Sequence, residues 1–103
     1  MDKNKEEIFS LIDDFVKILA VSFTVNGVYL FGSHAVAVAG DESDIDLCVV
    51  LGEEVTAGKK LSIFSLAQSI SPLIETMVVN EQEYFLNSSD IICEVKDKGV
   101  RVA

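Results

Sequence analysis

Two stretches decide how this chain is read: Leu30-Phe31-Gly32-Ser33 and, after ten intervening residues, Asp44-Ile45-Asp46-Leu47-Cys48-Val49-Val50-Leu51. The second is a strand whose later residues are apolar on both faces, the pattern of a central strand covered from two sides. The first closes a short strand, Val28–Phe31, at a glycine, and Ala35-Val36-Ala37-Val38-Ala39 follows as a short, tightly packed helix ended by Gly40.

The rest of the chain arranges itself around this pair. Ile8, Leu11, Ile12, Phe15, Val16 and Leu19 recur at helical spacing and predict an amphipathic helix over about residues 4–22. Asn26-Gly27 is expected to turn the chain into the first strand. A second long helix is expected over about 57–70, stopped by Pro72, with a third strand from Leu73 to Val79. Asn80 and Glu83 have the spacing of a capping box. A last helix is expected over about 88–98, with Lys96 and Lys98 at its C-terminal end and Gly99 as its cap. Val100-Arg101-Val102 adds an edge strand that could pair with another copy, so a homo-oligomer is one expectation. The order αβαβαβα describes an α+β fold, a small mixed sheet with flanking helices, formed as one domain over residues 1–103.

Asp44 and Asp46 are two apart on a strand, so both side chains point to one face, with Cα atoms about 7 Å apart. Two carboxylates so placed can hold one hard cation or a pair, and Mg²⁺ suits oxygen ligands with room for water and phosphate. The alternative is a solvated strand entrance. Its position, leading into the most apolar strand, argues against that, because an unpartnered charge at a core boundary is costly. Gly32-Ser33 stands where a strand gives way to a helix, so glycine admits a phosphate and Ser33 and the helix N–H groups donate to it. A plain turn with Ser33 as N-cap is the alternative.

Leu30-Phe31-Gly32-Ser33 … Ser43-Asp44-Ile45-Asp46-Leu47 resembles the minimal nucleotidyltransferases of the DNA polymerase beta superfamily, and the order of elements extends the resemblance over nearly the whole chain. The resemblance implies a polymerase beta-like nucleotidyltransferase fold. It implies that Gly32 and Ser33 bind phosphate and that Asp44 and Asp46 bind Mg²⁺ in a two-metal site. Glu75, in Leu73-Ile74-Glu75-Thr76-Met77-Val78-Val79, stands where a third acid completes the metal site and assists the acceptor hydroxyl. The alternative for Glu75 is an exposed strand glutamate. The resemblance further implies ATP as the nucleotide, a HEPN-type helical protein as partner, and AMP transfer to a tyrosine of that partner by the antitoxin of a toxin–antitoxin pair.

One departure bears on activity. Family members commonly carry a sequence such as Gly-Ser-Arg-Ala-Arg-Gly, whereas His34, Val36 and Ala37 occupy those places here. A cation there is worth about 1.5–3 kcal/mol as a charge-assisted hydrogen bond, so nucleotide affinity or turnover is expected to be low. His34, mostly neutral near pH 7, substitutes in part or simply starts the helix. Lys59 and Lys60 are the nearest basic residues in sequence, and their expected place is a solvated helix start.

Composition narrows the field. With 17 acidic against 8 basic residues the net charge is −9, which repels a nucleic-acid backbone and a free triphosphate alike. Broad nucleic-acid binding is not expected, a nucleotide needs a divalent metal as bridge, and a basic protein partner suits the surface. No apolar run approaches the roughly 20 residues of a membrane helix. The polar opening Met1–Glu7 lacks a signal peptide's apolar stretch, so a cytoplasmic location is expected. Cys48 and Cys93 are expected to be buried, reduced thiols. The rival to an enzyme is a docking module that keeps the fold and works through its acidic surface.

Overall fold

The computed structural model describes residues 5–32, 44–87 and 89–103. Among them the order is α1 (Lys5–Ser22), β1 (Val25–Phe31), β2 (Ile45–Leu51), α2 (Ala57–Ile70), β3 (Ile74–Asn80), α3 (Glu81–Phe85), α4 (Asp90–Lys98) and β4 (Val100–Arg101). The helix expected over Ala35–Ala39, with Ser33, His34 and Gly40 around it, lies outside the described residues.

The four strands form one mixed sheet in the order β3-β2-β1-β4. β1 runs antiparallel to β2 and β4, and β3 runs parallel to β2. The parallel pair follows from α2, since returning a chain to the same end of a sheet requires a crossover. β2 is central and buried along almost its whole length, as its unbroken apolar run predicts.

Because side chains alternate across a strand, the sheet carries two cores. Ile45, Leu47, Val49 and Leu51 of β2 join Val28 and Leu30 of β1 and Ile74 and Val78 of β3 on one face. There they meet Ile8, Ile12, Phe15 and Leu19 of α1 and Ile63 and Ala67 of α2. These helix positions are spaced three or four apart, so each helix delivers one stripe. Cys48 and Val50 point the other way, joining Val79, Ile92 and Val95 in a smaller core under α3 and α4, flanked by Tyr29, Phe31, Met77 and Tyr84.

Caps set the helix ends. Thr56 accepts from the Lys59 N–H at 3.2 Å to start α2. Asn80 accepts from the Glu83 N–H at 2.8 Å while Glu83 accepts in return, which is the expected capping box. Ser89 starts α4, accepting from the Ile92 N–H at 3.2 Å.

Two expectations need correction. Asn26-Gly27 does not turn the chain but lies inside β1, where the register slips between Val25 and Gly27. A Cβ at Gly27 would press on the Tyr29 ring, so the glycine admits a bulge while pairing with Val50 and Leu51 continues around it. The thiols also differ from expectation: Cys48 is buried, but Cys93 is exposed on α4, one position off the inward stripe of Ile92 and Val95. The edge strand is as short as expected, extended by hydrogen bonds between Val28 and the last two residues. Among the described residues no helix is long and apolar enough to cross a membrane.

Candidate active site

Adjacent strands place three side chains in one row. Phe31 is paired with Asp46 across β1 and β2, and Asp46 with Glu75 across β2 and β3. All three project to the face that α3 and α4 cover, but near the sheet's end that cover stops. Neighbours on adjacent strands sit about 5 Å apart, so Asp46 and Glu75 are side by side. Asp44 stands just before β2, two residues from Asp46 and exposed.

The charges act on one another. Glu75 holds its proton more tightly than an ordinary glutamate, first because of the Asp44 charge. Partial desolvation, the Asp46 charge and a hydrogen bond with Asp44 add to this. The three acids singled out in the sequence are therefore brought together. The oxygen donors suit a hard divalent cation, which would relieve the same repulsion. Among the described residues, however, no three acidic, histidine or cysteine side chains form a group that could hold a metal ion as they stand. They are close enough to perturb each other without being closed around a point.

The sign of the Glu75 shift yields a measurable consequence. A folded-state pKa above the unfolded value gives stability that is present at low pH and lost as pH rises through the raised value. Above that range Glu75→Gln is therefore expected to stabilise the metal-free protein, by under about 1 kcal/mol because the site is open to solvent. Thermal melts at pH 4 and pH 7.5 check this: the gain should appear only at the higher pH.

Gly32 closes the β1 side of the row. Its φ is +73°, in the left-handed region, and a Cβ there would collide with the Asp46 carboxylate. The glycine expected to admit a phosphate thus also makes room for an acid. Gly32→Ala should cost about 1–2 kcal/mol in backbone strain and push Asp46 out of line. Its urea midpoint should fall; a midpoint equal to the parent's would show that the backbone at Gly32 carries no such strain. Ser33, expected beside it as a phosphate ligand, lies outside the described residues.

A cleft of about 600 Å³ opens over the row, lined by Phe31, Asp46, Glu75 and Met77 from the sheet and by Lys60, Leu61 and Phe64 from α2, with Ile91 from α4. It runs around the edge strand β3, where Thr76 and Val78 also line it. Lys60 is exposed near the start of α2, as expected, and it also borders the cleft. Lys59 does not reach it, being tied to Glu53 at 3.2 Å and to the Glu54 carbonyl at 2.6 Å. A signal for the α2 wall was present in the sequence: that helix carries Leu61 and Phe64 in addition to the apolar residues that reach the core. Both are exposed, at 67% and 47%.

A mixed sheet with Gly32 directly after β1, paired acids on or just before the central strand and a third beside them is the arrangement expected of a nucleotidyltransferase fold. The family profile described as "Polymerase beta, Nucleotidyltransferase" matches residues 13–101, and the chain belongs to that family. It is similar in structure to a Sulfolobus solfataricus protein assigned as a nucleotidyltransferase, with 24% identity, 98% of this chain and 89% of that one covered, and a TM-score of 0.65. It also resembles a chain of the complex of a tri-AMPylated Shewanella oneidensis HEPN toxin with an MNT antitoxin. There identity is 18%, coverage 91% of this chain and 70% of that one, and the TM-score 0.63. A toxin–antitoxin structure with AMP-PNP gives 18% identity, 92% and 72% coverage, and a TM-score of 0.63. At these identities the likeness is one of fold. No protein of curated function matches the sequence.

Proposed function

We propose that the chain is a Mg²⁺-dependent nucleotidyltransferase that moves AMP from ATP to a protein hydroxyl, its acceptor being a HEPN-type helical protein with which it forms a toxin–antitoxin pair. The observation that carries the reading is the meeting of Asp44, Asp46 and Glu75 at the open end of the sheet, with Glu75 holding its proton more tightly than usual. Asp44, Asp46 and Glu75 would hold Mg²⁺, and the ion would supply charge neutralisation at the reacting phosphate. Gly32 and Ser33 would receive the outer phosphates. Glu75, at the edge-strand end of the row, would accept the proton that the acceptor hydroxyl gives up. The net charge of −9 supports a basic protein surface as partner.

The second reading, a docking module without turnover, draws on His34 and Val36, which stand where cations would meet the triphosphate. One assay separates the two. The protein is incubated with ATP, Mg²⁺ and the product of the neighbouring gene, and the intact mass of each chain is measured. Added AMP on the partner supports the enzyme; a stable complex with unchanged masses supports the docking module and sinks the transferase.

A further inference from the structure

The cleft reaches past the carboxylates to the outer flank of α2, and that flank carries Lys60. Several other basic side chains are engaged. Lys17 pairs with Asp13 at 2.9 Å, and Lys59 pairs with Glu53. Lys96 donates to Asn87 at 2.6 Å and lies over the Tyr84 ring, and Arg101 donates to the Asn26 and Ala103 carbonyls. The Lys60 amine has no hydrogen bond or ion pair among the described residues, yet Lys60 lines the cleft that holds Asp46 and Glu75.

Its place relative to the row gives it a side. Gly32 follows β1, Asp46 is on the central strand, Glu75 is on the edge strand, and α2 bounds the cleft beyond. In-line displacement at phosphorus puts the attacking and leaving oxygens on opposite sides. With the outer phosphates at Gly32, the acceptor comes from the Glu75 side. We infer that Lys60 is a further catalytic residue, whose ammonium faces the attacking hydroxyl oxygen and stabilises the charge that oxygen gains; this rests on the transferase reading above. The acceptor O–H bond breaks and its proton passes to a Glu75 carboxylate oxygen. The freed electron pair forms the bond to the α-phosphorus, and the bond from phosphorus to the bridging oxygen breaks, its electrons leaving on pyrophosphate. Leu61 and Phe64, which line the same cleft and are exposed, suit a hydroxyl carried on an apolar protein surface rather than on a polyphosphate chain.

Lys60→Met and Lys60→Arg test this. Each is given ATP, Mg²⁺ and the neighbouring gene's product in a single turnover, with AMP on the acceptor followed by intact mass. ATP·Mg²⁺ affinity is measured separately by equilibrium dialysis. Lys60→Met should transfer about 100-fold more slowly, as when one preorganised electrostatic contact is removed. Its nucleotide affinity and melting temperature should match the parent, and Lys60→Arg should recover most of the rate. Transfer by Lys60→Met at the parent rate overturns the inference, and so does a loss of ATP affinity in step with the rate, which would put Lys60 on the nucleotide. A parent protein that binds ATP·Mg²⁺ but never modifies the acceptor removes the transferase reading itself, a result distinct from either outcome of the variants.

Discussion

On the transferase reading proposed above, Asp46→Asn should abolish AMP transfer to the limit of detection, a fall of about a thousandfold or more, while leaving the fold intact. Asp46 is the middle member of the row and touches both halves of the site, with Glu75 on one side and the Gly32 backbone on the other. No other acid shares that position. Losing a metal-held transition-state interaction costs several kcal/mol, and each 1.36 kcal/mol is tenfold in rate. The amide is isosteric and removes one of three mutually repelling charges, so the melting temperature should hold or rise slightly. Intact-mass detection of AMP on the partner, beside a thermal melt, measures both. Transfer at a tenth of the parent rate or better would remove Asp46 from the chemistry.

Phe15→Ala should unfold most of the protein, or leave it with a urea midpoint far below the parent's. Phe15 is fully buried at the centre of α1 and is the largest side chain so enclosed. Such truncations cost about 3–5 kcal/mol, against a total of about 5–15 kcal/mol for a typical domain. The helix cannot move in to fill the void, because Ile12 and Leu19 on either side are themselves seated in the same core. Phe15→Leu, which keeps most of the volume, should retain more than half of what the alanine variant loses. Equal urea midpoints for the parent and the alanine variant would mean that α1 is not anchored through this residue.

What could be read without coordinates follows from how local each signal is. β2 was legible because a strand covered on both faces has no polar alternation to confuse it. The two acids entering that strand had to share a face through the two-residue repeat alone. The capping box of Asn80 and Glu83 was legible for the same reason, since both partners lie within one turn. Asn26-Gly27 was misread because its local preference for a turn lost to a non-local gain, pairing with the end of β2. Cys93 is exposed, against expectation, because the phase of α4 assigns the inward positions to Ile92 and Val95. Lys60 was beyond reach in another way. Its place on the cleft that also holds Glu75 depends on how α2 lies against the rim of the sheet, a property of packing between distant segments.

The alternation of β2 separates two kinds of selective pressure along seven consecutive residues. Odd positions from Ile45 to Leu51 hold the larger core together, while Asp46 belongs to the cleft and Cys48 and Val50 to the thinner layer beneath α3 and α4. Replacements at position 46 can therefore vary the chemistry at little cost to folding, whereas polar replacements at 45, 47 or 49 remove protein and chemistry together. Inserting one residue at the start of the strand would exchange the two sets, turning the carboxylate into the larger core and the leucines towards the cleft and the thinner layer. A change of chain length at that point is therefore felt through both layers of the sheet, whereas a change of side chain at 46 is felt first in the cleft.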